Sequence, residues 1–519
     1  MSKLNKRPIG GGYRPLSVKG FTLIELLAVI VILAVIAIIV TPMVMNTIKS
    51  ARENSAKSSA LNYINAVEEY VAAENAKDPD NTEFSSTEPY DVTTIPVSNV
   101  EVTGQKPTSG HVKIIKGVVT DFDLIMGNYK ITRTGINGEV IVTEAGSTPV
   151  ATTYTDSILN GADPVLDAGM IPVSIANDGT VTKADTATAW YNYTNKEWAN
   201  AVVVSSDVRN TYQSATAGTK LDTSKILAYY VWIPRYSYKL FNVAGTSGTT
   251  ASTIEITFEN KTTTKSTGTT NGTKLTHPAF TFGTTELNGF WVGKFELTGD
   301  TTTPTVLPNV TSLRNQNVSS LFNTIAKFKS DTYGITSDSH MMMNKEWGAV
   351  AYLTQSIYGK NSEVRINNNS NFTTGCGASA DNASENATCQ IAYGSNAADY
   401  PQSTTGNISG IFDMSGGAWE YIMGTYNSTI SSSGFSSLPD SKYYQSYTDL
   451  ASSPLGDSLK ETQGWYNDYA GFVDSNVPWF LRGGGYSSSQ AGVFYFTSSG
   501  HKGSADTDSS SRVIIAPGA

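Results

Sequence analysis

Charge is scarce in this chain. Asp, Glu, Lys and Arg make up 16% of its 519 residues, against about a quarter in an ordinary soluble domain. No run of Lys and Arg forms a basic stripe and the formal net charge is −9, which excludes nucleic acid as a partner. Cysteine is scarcer still, with only Cys376 and Cys389. Their spacing is too wide for a CxxC motif and no His or third Cys stands near them, which excludes a zinc or dithiol redox site. The four histidines are scattered without metal spacing. There is no nucleophile elbow, phosphate-binding loop or HExxH helix. No catalytic residue is assigned, and the chain is expected not to be an enzyme.

Ser, Thr, Asn, Gly and Tyr fill the space that charge leaves, a composition that suits an extracellular surface. In an oxidising compartment Cys376 and Cys389 are expected to staple a loop rich in Gly, Asn and Ser; two unpaired thiols are the alternative. The chain length predicts two to four domains, at about 100–200 residues each.

Hydrophobic residues concentrate at one end. Residues 1–20 are polar and basic, and Phe21-Thr-Leu-Ile-Glu25 leads into an unbroken apolar run from Leu26 to Val40. As a helix, Phe21 to Met45 spans about 37 Å, enough for a bilayer core of about 30 Å. The basic flank stays cytoplasmic and the rest is exported. A secretory signal would end in a small-residue cleavage site, and none is present. A plain anchor leaves Glu25 unexplained, since a carboxylate inside an apolar span is costly.

The segment KGFTLIELLAVIVILAVIAIIVTP resembles the class III signal of type IV pilins and pseudopilins. The resemblance implies cleavage by a prepilin peptidase between Gly20 and Phe21 and N-methylation of the new terminus. It implies that Glu25 of one subunit neutralises the Phe21 amine of another during assembly, and that the helix bends at Pro42. A buried pair of this kind sets register more than stability. The partners implied are the peptidase, other pilin subunits and, before assembly, the inner or plasma membrane; the destination is an extracellular filament.

The apolar period continues through Ile48, Ala60, Ile64, Val67 and Val71, so the helix is expected to run over 21–76 and lay a stripe on a head domain. Residues 77–148 alternate and carry Gly-Asn and Asn-Gly turns, the pattern of a small antiparallel sheet. Residues 149–224 are read as a linker and a short aromatic module. Trp190, Tyr191, Tyr193 and Trp198 there are either packing or a ligand platform, with packing the more common use.

Residues 225–519 read as loop-rich α+β, with one helix expected within 341–359. Their segments WVGKFELT, NKEWGAVAYL, DMSGGAWEY, RGGGY and SRVIIAP match, in order, motifs of the formylglycine-generating-enzyme-like branch of the C-type-lectin fold. The whole chain is thus expected to be α+β: a long pilin helix, a small β head and a large lectin-like domain. The copper cysteines of that branch are absent, with Ser488 and Val493 near their places, so no copper is expected. The resemblance implies a structural calcium on Asp413 and Glu420 with the carbonyls of Gly416 and Ala418. Gly417 departs from the usual Asn, and the alternative is Glu420 paired with an arginine such as Arg482. It also implies a ligand surface near the C-terminus, with Tyr486, Phe494 and Tyr495 as contacts to an unknown surface, glycan or protein ligand.

The function expected is a minor or tip filament subunit displaying an adhesive domain. The alternatives are a pseudopilin of a secretion or DNA-uptake system and an exported enzyme tethered by a pilin helix.

Overall fold

The computed structural model of the chain describes residues 55–77, most of 84–144 and, with short interruptions, 163–518. The chain divides into two units, residues 1–150 and 151–519, each with its own apolar core. The architecture is mostly β-sheet with few helices.

In the first unit the helix described over 55–77 buries Ala56, Ala60, Tyr63, Ile64, Val67 and Val71. This is the helical stripe the sequence spells out, and it packs on the inward residues of an antiparallel sheet, among them Val112, Phe122, Leu124 and Ile131. The sheet's strands are Tyr90–Asp91, Ser109–Ile115, Val118–Met126, Tyr129–Arg133 and Ile141–Glu144, each paired with the next. Met126 pairs with Tyr129 and Gly127 between them has a φ of +60°, while Asn128 of the expected turn lies outside the described residues. Where the register slips between Lys113 and Ile114, Glu68 of the helix accepts a bond from the Val119 N–H at 2.9 Å. The bulge therefore leaves no orphan donor there.

The second unit is built on a seven-stranded antiparallel sheet. Its order is Asp338–Met341, Val513–Ala516, Gly289–Gly293, Ile226–Pro234, Asn200–Val204, Met170–Ile175, Val181–Lys183. The last three strands come from the segment expected to be a linker and a separate module, so this unit reaches well N-terminal of the expected boundary at 225. The short apolar runs of Asn200–Val204 and Met170–Ile175 are covered on both faces, which hides the alternation that marks a strand. Tyr191, Tyr193 and Trp198 are buried in this core and Trp190 packs against it. They pack; they form no exposed platform.

The helix within 341–359 spans Asn344–Thr354 and is buried on nearly every side. Ile357 lies beyond its end and is 61% exposed. Two further short helices, Ser206–Ser214 and Val318–Ile325, were not legible in the sequence. The second helix has an Asn317 side chain capping Ser320 N–H, a signal lost among many asparagines. A second sheet joins Gln445–Tyr447, Trp419–Tyr426, Trp479–Arg482 and Phe496–Thr497, with Ser509–Ser510 also on Trp419–Tyr426.

Candidate functional site

Gly20, Phe21, Glu25 and Pro42 lie outside the described residues. Among the described residues no helix is long and apolar enough to cross a membrane.

The DMSGGAWEY turn leads into the strand Trp419–Tyr426. It begins on Asp413, which has a positive φ of 63° and accepts bonds from Asn367 Nδ2 at 2.9 Å and Gly375 N–H at 2.8 Å. Glu420, at its end, is fully buried and is gripped by Arg512 through Nε at 3.0 Å and Nη2 at 2.5 Å. Arg512 also donates to the carbonyls of Gly293 and Phe412. A third buried carboxylate, Glu296, accepts from Ala418 N–H at 2.9 Å and from the Ser312 hydroxyl. One guanidinium faces three acids in a dry site. Burial pushes Glu296 well above the carboxylate range, with Asp413 and Glu420 adding to the push. Burial also lifts Asp413 to about 6. Crowding of like charges in a buried site favours the protonated form of these carboxyls.

This arrangement does not fit the expected calcium. Calcium takes about 6–8 oxygen ligands, yet the carboxylate oxygens of Asp413 and Glu420 already accept protein N–H donors. Among the described residues no group of three or more His, Cys, Asp and Glu is placed to hold a metal ion. The arginine alternative fits, with a different residue. Arg482 sits opposite Glu420 in the sheet, but its guanidinium turns to Asn344 and to the carbonyls of Asp457 and Ser458. Gly417 has its own reason. Its φ is +75°, and an added Cβ would lie 2.4 Å from Glu296 Oε1, so any side chain there would meet the buried acid.

Of the expected ligand contacts, Phe494 and Tyr495 are buried. Phe494 packs on Trp465 at 5.1 Å and Tyr495 on Tyr469 at 5.8 Å. Tyr486 alone is partly exposed, with Ser487, Ser489 and Gln490 exposed beside it. Its N–H bonds to Gly417 at 2.8 Å, which ties it to the buried turn, and its ring meets Phe372 edge-on at 4.8 Å. The Arg314 guanidinium lies 3.8 Å from the Phe372 ring centre. Sequence reading missed Phe372 and Arg314, since nothing local marks them and long loops bring them to Tyr486.

Cys376 and Cys389 are joined, with Cα atoms 5.4 Å apart, and the disulfide is as expected. The asparagine run beside it fixes the loop. Asn368 donates to Ser384 O, and Asn369 and Asn371 donate to Ala387 O. Gly375, one residue before Cys376, donates to Asp413. The stapled loop is thereby tied at its start to the buried acid cluster.

Comparison with known proteins decides the N-terminus. Residues 16–41 match the prokaryotic N-terminal methylation motif. The match supports an exported type IV pilin-like protein, membrane-anchored before export, with prepilin peptidase processing and assembly with other pilins. No curated protein matches. Among solved structures, a Major Tropism Determinant I1 variant is similar at 13% identity over 76% of this chain and 81% of that one, with a TM-score of 0.26. A U1 variant is similar at 14% identity over 84% and 87%, with a TM-score of 0.22. Likeness at that level carries no weight for fold or function.

Proposed function

We propose that this chain is a minor or tip subunit of a type IV pilin-like filament, and that its second unit is a lectin-like binding domain that works by adhesion and not by catalysis. The observation that carries the reading is the methylation motif at residues 16–41 on a chain whose second unit spans 151–519. So bulky a unit on every subunit would crowd a thin fibre, which favours sparse or tip placement. The formylglycine-generating-enzyme-like fold is supported by how its motifs assemble. The strand from GFWVGKFE pairs with the final strand from SRVIIAP, and the strand from GAWEY pairs with that from WFLRGG. The partly exposed Tyr486, with Phe372 and Arg314, supplies a rigid aromatic surface of the kind that adhesive contacts use.

The test is mass spectrometry of the chain recovered from sheared filaments. The expected N-terminus is N-methylated Phe21, and Gly20→Asp abolishes it. Recovery of a chain that still carries its first twenty residues would falsify the filament reading.

A further inference from the structure

A groove of about 530 Å³ opens on the second unit, and Tyr486, Phe372 and Gly417 are not among its lining residues. Its size falls within the range of small-molecule sites. One wall is the hairpin at Thr281–Phe282 and Thr285–Glu286, the floor is the first turn of the helix Asn344–Thr354, and the other wall is residues 440–445.

The two lysines on these walls differ in their partners. Lys345 donates to the Thr281 carbonyl at 2.8 Å, and among the described residues no carboxylate is paired with it. The buried Asp457 acts on Lys345 only from beyond ion-pair distance, so this partly buried ammonium, at a helix N-terminus whose dipole is also positive, has no direct ion-pair partner among the described residues and invites an anion. Lys442 lies 3.7 Å from Asp338 and over the rings of Phe282 and Tyr443 at 5.1 and 4.8 Å. Beneath them the His340 ring is spanned by Asp338 and Glu346 at 2.8 and 2.9 Å and stacks on Phe282. Those two buried acids are spent on His340, Tyr443 and Lys442. Of the acids on these walls, Glu286 is held by Arg235, Lys265 and the Thr281 hydroxyl, and Asp440 uses its Oδ1 to cap the Lys442 N–H.

The rest of the lining is hydroxyl-bearing. The side chains of Thr284, Thr285 and Ser441 make no hydrogen bond within the described residues, and Tyr444 offers a partly exposed ring. Unused hydroxyls match a ligand that is itself rich in hydroxyls, and the ammonium groups match one acidic group on it.

We propose that this groove is a second binding site, taking a saccharide that carries a carboxylate or a sulfate. The acidic group sits on Lys345 and Lys442, and sugar hydroxyls bond Thr284, Thr285 and Ser441. The site does not depend on the Tyr486 surface or on filament assembly.

The experiment uses the full chain in detergent micelles, with calorimetric titration of sialyllactose, a heparin-derived oligosaccharide, lactose and inorganic sulfate. The expected result is binding of the carboxylated or the sulfated saccharide, about tenfold or more tighter than lactose and weakened by salt. Which of the two binds identifies the acidic group. The double variant K345Q/K442Q removes the charge, and T284W fills the groove while keeping both lysines. Each is expected to weaken binding about tenfold or more, whereas Y486A leaves it unchanged. The proposal is overturned if neither acidic saccharide binds, if lactose binds equally, if sulfate alone displaces the saccharide at equal concentration, or if either groove variant with an unchanged melting temperature binds like the parent chain.

Discussion

Arg512 shows how much one side chain can hold. Its guanidinium donates to Glu420, Gly293 and Phe412 and is the nearest cation to three buried acids. Replacing it with methionine removes the ion-pair partner of a fully buried carboxylate. Arg512→Met is expected to cost about 3–5 kcal/mol. All eight tryptophans lie beyond residue 150, so urea unfolding followed by tryptophan fluorescence reads the second unit alone. A cost under about 1 kcal/mol would mean that the acids already sit neutral without it. His340 gives the second prediction at this scale. Burial works against its charge, but Glu346 and Asp338 outweigh burial and lift it to about 9. A folded value above the ordinary 6.5 means that its contribution is complete below pH 6.5 and is lost as pH rises through 9. The melting temperature should fall over that window, and His340→Gln should flatten the fall. Asp413, Asp457 and Glu461, lifted by burial to about 6, 6 and 7, give a slope of the same sign at lower pH. The comparison therefore belongs above pH 7. An equal slope in the variant would show that His340 is neutral.

Among elements, the stapled loop is the most exposed to change. The chain-entropy model gives the Cys376–Cys389 bond about 3 kcal/mol. The asparagine bonds to Ser384 and Ala387 remain when the bond is removed. The double variant C376S/C389S is expected to lower the second unit's stability by about 2–3 kcal/mol and to admit protease between 377 and 388 without unfolding the sheets. Uncut chain in a timed proteolysis would show that the asparagine run suffices. Gly417 belongs to the same scale, because the turn must pass Glu296 with no side chain in the way. Gly417→Asn should cost about 1–3 kcal/mol in the same unfolding measurement, and a neutral result would mean that Glu296 can move aside.

At the scale of the whole molecule the prediction concerns assembly. In the proposed filament the amine that cleavage would free at Phe21 would need a counter-charge in an apolar fibre core, and Glu25 stands one turn away in sequence. Glu25→Ala should leave cleavage intact and reduce incorporation into sheared filaments about tenfold or more. Normal incorporation by immunoblot would remove the charge-pairing role. The groove and the Tyr486 surface are independent of this step, so a filament-free chain should keep both.

Sequence alone determined the features that depend on neighbours in the chain. The class III signal is a local pattern, and the apolar stripe from Ala56 to Val71 is a helical period that any packing partner must respect. Alternation gave the β head, and the two cysteines had only each other. Tertiary structure alone decided which charges meet. Arg512 over Arg482 for Glu420, Phe372 and Arg314 beside Tyr486, and the strands 170–204 within the large sheet all join residues far apart in sequence. The burial of Phe494 and Tyr495 was equally unreadable, since an aromatic in a Ser/Gly-rich stretch looks the same whether it faces solvent or core. Local period can be read without knowing where the chain returns; electrostatic partners cannot, because a buried charge is matched to whatever the completed fold brings within a few ångströms of it.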